Sequence, residues 1–138
     1  MLRNILGFIV GLIAGGIVNM GLITISSSII PPPAGADMST VEGLRAAMPL
    51  LEPKHFIFPF LAHALGTFVA ALVAALIAAS YKLHIAVALG VLSLFGGIAA
   101  AMFIPAPTWF IILDLVVAYI PMALLGAKLG GAKFSGNA

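Results

Sequence analysis

The stretch ILGFIVGLIAGGIVNMGLITISSSI, from Ile5 to Ile29, contains no charged side chain. A run this long and this apolar has few stable settings. Crossing the hydrocarbon core of a bilayer takes roughly 20 apolar residues in a helix. Residues 5–29, 56–79, 83–104 and 108–125 each meet that requirement. Backbone N–H and C=O groups find no partners in lipid, so each span has to satisfy its own hydrogen bonds as a helix. Pieces such as FVAALVAALIAAS show no period-2 alternation and speak against a β-barrel. The expected fold is therefore all-α, an integral membrane four-helix bundle, with residues 1–138 forming a single transmembrane domain.

Composition agrees. Of the 138 residues 63% are hydrophobic and 7% charged, against about 25% charged in a soluble domain, so the chain cannot cover itself in polar surface. The net charge of +2 comes from scattered residues, and no basic stripe suggests nucleic acid as a partner. With no cysteine, disulfides and thiolate metal sites are excluded. The expected partner is the lipid bilayer. Four short helices leave little room for a complete pathway, which points to a homo-oligomer or a partner membrane subunit.

The connections carry information of their own. After the first span comes PPPAGADMSTVEGLRAAMPLLEPKH, a loop of ~25 residues and the only sizeable segment outside the spans. Pro31 to Pro33 end the first helix. The run Ser39-Thr40-Val41-Glu42 fits a capping box and predicts a short helix over 40–47. Its Val41, Leu44 and Met48 recur at helical spacing, suited to the bilayer interface. Arg3, Lys82, Lys128 and Lys133 fall on one side of the spans, and Arg45 and Lys54 on the other. By the positive-inside rule both termini are cytoplasmic and the long loop faces out. MLRN, the apolar run and AGA before Asp37 also have the look of a signal peptide. The run is longer than an ordinary signal core, and the triple proline lies beside the cleavage site, so an uncleaved span is the preferred reading.

Small residues mark the helix contacts. Gly7, Gly11 and Gly15 repeat every fourth position, a ridge that lets two backbones approach closely. Gly66 on the second span and Gly96 and Gly97 on the third are further packing candidates. Pro121 falls well inside the fourth span and should kink it, freeing the Val117 carbonyl.

Polar residues within a membrane carry most of the functional information. Asn19, His63 and Asp114 lie on three different spans. Counted inward from the outer end of each span, all three sit roughly 10–15 Å deep at 1.5 Å per residue. They define a candidate pocket for a substrate or a proton, with His63 and Asp114 as partners. The alternative is a hydrogen-bonded cluster that only fixes helix register. Glu52 and His55 would line the entrance from the outer surface. With His63 they are also the weak candidates for a divalent metal, although no i,i+4 ligand pair supports one. No cofactor and no catalytic residue is expected. Walker, GxSxG, HExxH and dinucleotide motifs are missing, which excludes a soluble-style enzyme.

The combination PPPAGAD, EPKHFIFPFLAHALGT and LDLVVAYIPM resembles a family of small bacterial four-span inner-membrane proteins that has no assigned biochemical function. The resemblance implies a bacterial cytoplasmic membrane location and carries over no substrate, cofactor or site residue. Three functions stay open. One is a transporter or channel-like protein, or a component of one, with an outward-facing polar pocket. The second is an accessory or scaffold subunit whose polar residues fix packing. The third is a membrane-embedded metal-binding protein or enzyme acting on a lipid or quinone.

Overall fold

The computed structural model describes residues 1–135. They form helices α1 (Leu2–Ile29), α2 (Val41–Ala47), α3 (Ile57–Ile77), α4 (Lys82–Phe103), α5 (Thr108–Val117) and α6 (Ile120–Leu129), with no strand among the described residues. Single 3₁₀ turns, Met48–Leu50 and Pro53–Phe56, lead from α2 into α3. Among the described residues four stretches are long and apolar enough to cross a membrane: Leu2–Ile29, Pro53–Ile77, Lys82–Phe103 and Thr108–Leu129. This is the makeup of a multi-pass membrane protein in contact with lipid, and large apolar side chains such as Ile13, Ile17, Phe95, Met102 and Val116 cover its outside.

The boundaries differ from the sequence reading by three residues or more at three places. The first helix starts at Leu2 because nothing in LRN breaks it. The second is entered through the 3₁₀ turn, whose N1 residue Pro53 needs no N–H partner. The fourth runs on to Leu129. The cap of α2 also differs. Thr40 is the N-cap and accepts from the Gly43 N–H at 2.9 Å, whereas Ser39 is held by Asp37 in an Asx turn. Those hydrogen bonds from Ser39 hold the exposed Asp37 carboxyl below its usual range.

Helix α3 is the centre of the structure, touching α1, α4, α5 and α6. Its small residues Ala62, Ala64, Gly66, Ala70, Ala71, Ala74 and Ala75 are buried, which is how one helix accommodates so many neighbours. Helix α1 runs antiparallel to it and buries only Gly7, Gly11 and Gly15. A Cβ on Gly11 would lie 2.5 Å from the Ala70 carbonyl oxygen, and one on Gly15 would lie 2.5 Å from that of Gly66. Only glycine permits so close an approach. On the other flank a Cβ at Gly126 would meet the Phe68 carbonyl at 2.5 Å, and Gly130 fits against Ala75. The half of the molecule nearest the termini is thereby closed by backbone-to-backbone contact.

That end is also pinned by polar side chains. The Asn4 carboxamide accepts from the Ala79 and Ser80 N–H groups at 3.0 and 3.2 Å and donates to the Ser80 hydroxyl at 3.0 Å. Arg3 Nε donates to the Ile77 carbonyl at 3.0 Å, and Lys82 Nζ to the Gly130 carbonyl at 3.3 Å. Cations thus satisfy the free carbonyls of two helix C-termini. The opposite end is looser. There the α2 segment and the Phe56, Trp109 and Phe110 rings, with centroids 4.9 to 5.9 Å apart, gather around the entrances to α3 and α5.

Candidate functional site

The fourth span is broken where Pro121 demands it. Proline has no N–H to offer Val117, so α5 stops at that residue and α6 restarts at Ile120. Ala118 and Tyr119 form the turn between them. In an unbroken helix Tyr119, five residues after Asp114, would lie about 140° round the axis from it. The break instead swings the phenol back, and its hydroxyl donates to Asp114 Oδ2 at 2.8 Å.

His63 on α3 completes the group. Its Nδ1 lies 2.9 and 3.0 Å from the two Asp114 oxygens and donates its proton to that carboxylate. The Tyr119 ring stacks beside the imidazole with centroids 5.8 Å apart. Asp114 is 5% exposed, so its carboxylate depends on these two donors. Among the described residues Nε2 of His63 has no hydrogen-bond partner, and no buried side-chain N or O atom lacks one. Nε2 therefore opens onto free space.

Two cavities supply that space, and His63 borders both. The larger, about 440 Å³, extends from the α2 segment and His55 past Phe56, Pro59 and Ile111 down to His63 and Asp114. The smaller, about 290 Å³, lies between α1, α3 and α4 and is bordered by Asn19, Thr67, Ser93, Gly96 and Gly97. His63 and Gly97 border both cavities, and a Cβ on Gly97 would overlap the Tyr119 ring.

The structure joins His63 to Asp114 and leaves Asn19 apart. Asn19 lies against Gly66 and shares only the smaller cavity with His63, with no side-chain hydrogen bond among the described residues. Its place in the polar group is taken by Tyr119. Pro121 was the signal that could have found this tyrosine, because a broken helix changes which residues share a face. Gly7, Gly11, Gly15, Gly66 and Gly97 meet neighbours closely, but a Cβ on Gly96 would touch nothing within 4 Å. Gly96 turns toward the smaller cavity, one residue and about 100° round the helix from Gly97, so it is not a packing residue within the chain.

The expected entrance pair divides as well. His55 borders the larger cavity, while its Nδ1 accepts from the Glu52 N–H at 2.9 Å and its Nε2–H donates to the Pro31 carbonyl at 3.2 Å. Both ring nitrogens are occupied in tying the first proline of the run to the entry of α3. Glu52 stays at the surface, where its carboxylate pairs with Lys54 at 3.2 Å. Among the described residues no three His, Asp or Glu side chains converge as metal ligands, so Glu52, His55 and His63 do not form one site. No protein-family model matches the chain, and neither a curated protein nor a solved structure shows significant similarity to it.

Proposed function

We propose that the chain is a small multi-pass transporter or channel-like protein of the bacterial cytoplasmic membrane, or a component of one, whose larger cavity faces outward. One observation carries the reading: an apolar cavity of about 440 Å³ that begins at the loop end and stops at the His63–Asp114 pair. Ligand sites are typically clefts of roughly 300–1,000 Å³, mostly apolar and with few convergent polar groups. Beyond His63 the smaller cavity reaches as far as Leu12 and Ala70, and past it the contacts of Gly7, Gly126 and Gly130 close the other half, as in a carrier open to one side. Orientation follows the cations. Arg3, Lys82, Lys128 and Lys133 belong to the sealed end, which the positive-inside rule puts in the cytoplasm with both termini. The four spans then form a bundle, and α2 rests at the outer interface over the cavity mouth. A carrier this small works as a homo-oligomer or with a partner subunit.

A scaffold subunit is the second reading, favoured by the full pairing of the Asp114 carboxylate. The absence of cysteine makes the two readings separable by single-cysteine labelling. Ala101→Cys and Ile111→Cys line the larger cavity, while Ala127→Cys is buried in the sealed half. A membrane-impermeant maleimide added to intact spheroplasts should modify the first two and spare the third. No reaction at Ala101→Cys and Ile111→Cys would overturn the outward-open pocket and favour the scaffold. In proteoliposomes, transport further requires that access to Ile111→Cys change sides during turnover.

A further inference from the structure

The larger cavity has a chemistry that narrows its guest. Among the described residues its walls hold no lysine, arginine or glutamate, and Asp114 is the one carboxylate on them. That carboxylate is already committed to His63 Nδ1 and the Tyr119 hydroxyl. A cation entering the cavity would have to displace one of these donors, and an anion would meet no fixed counter-charge. Either ion would leave water for an apolar chamber without compensation. Apart from Ser26 and Ser27 on the last turns of α1, the polar side chains lining it are His55, whose ring nitrogens are both occupied, and the His63–Asp114 pair, of which His63 Nε2 is without a hydrogen-bond partner among the described residues.

That atom is a single hydrogen-bonding point with two states. With the proton on Nδ1 alone Nε2 accepts, and with both nitrogens protonated it donates. A carbonyl or ether can answer only the second state. A hydroxyl answers both, since it donates to the first and accepts from the second. Resting on the outward-pocket reading above, we infer that the guest is a small uncharged amphiphile, an apolar body carrying one alcohol or phenol hydroxyl that bonds to His63 Nε2. The apolar walls take up the body, and the imidazole, oriented by Asp114 and Tyr119, recognises the head.

Three probes of one body test this: para-hexylphenol, its methyl ether para-hexylanisole, and para-hexylbenzoate. Each is titrated by calorimetry into the full chain in micelles, with protein-free micelles subtracted. The phenol should bind on the order of tenfold more tightly than the ether, the worth of one hydrogen bond in a preformed site. In the double variant His63→Phe/Asp114→Asn the phenol's advantage should vanish while the ether's affinity is kept. This variant keeps the ring volume and leaves an acceptor for Tyr119, and circular dichroism and size-exclusion checks establish that it is folded. Ile111→Trp, which fills the cavity, should abolish binding of all three. Equal binding of phenol and ether, with loss of both in Ile111→Trp, would overturn the hydroxyl assignment and leave the pocket standing. Tightest binding of the benzoate would overturn the uncharged guest. Binding that Ile111→Trp does not change, or no binding at all, would overturn the inference and the pocket reading together.

Discussion

Replacing Gly11 by alanine places a methyl group 2.5 Å from the Ala70 carbonyl oxygen and 2.9 Å from the Ala74 Cβ. Ordinary contact begins near 3.4 Å, so α1 has to withdraw from α3 by about 0.9 Å along that line. A gap of 0.5–1 Å forfeits roughly a quarter to a half of each dispersion well it opens. The same withdrawal loosens the neighbouring contacts at Gly7 and Gly15, because one helix moves as a unit. Overpacking of this kind costs about 1–3 kcal/mol. Against it stands the higher helix propensity of alanine, a gain of at most about 1 kcal/mol. Gly16 provides the control. It lies on the same helix, and a Cβ there meets nothing within 4 Å, so Gly16→Ala keeps the gain and incurs no clash. Reversible unfolding in mixed micelles should therefore place Gly11→Ala about 1–3 kcal/mol below Gly16→Ala. Agreement of the two variants within about 0.5 kcal/mol would refute the claim that the glycine ridge holds α1 in place.

Asp114→Leu strands the His63 Nδ1–H and the Tyr119 hydroxyl together, and should lower stability in the same assay by about 3 kcal/mol. Tyr119→Phe removes one donor and should lower it by about 1–2 kcal/mol. The double variant should come out well short of the sum, because the two side chains share a hydrogen bond. At the other end, Asn4→Ala deletes three hydrogen bonds to Ala79 and Ser80, so hydrogen exchange at those two amides should accelerate by tenfold or so while the α3 centre keeps its protection.

The spans could be read from the sequence because hydrocarbon leaves the backbone a single solution, and Pro121 announced its own break. His63 and Asp114 could be paired on paper because neither can face lipid alone and their depths agree. What the sequence withheld depends on rotation and tilt. Asn19 continues the small-residue ridge of α1, yet its helix stands against Gly66 and sets it on the smaller cavity, which Asp114 does not border. Gly96 and Gly97 look equivalent in a string of letters and point in directions about 100° apart in a helix. Tyr119 joins the carboxylate only through the turn at 118–119, which no periodicity of a straight helix contains. The cavities arise from the angles between helices, and these are set by many small contacts acting together.

The attachment of α1 to α3 has a consequence in time. The two helices are not neighbours in the chain, and the segment from Ile30 through Ile77 must be synthesised before the glycine ridge can meet its partner. At translation rates of about 5–20 residues per second that interval lasts several seconds. Until then α1 has no α3 against which to bury Gly7, Gly11 and Gly15. The N-terminal helix of a nascent chain is thus open to other membrane helices before its own arrives.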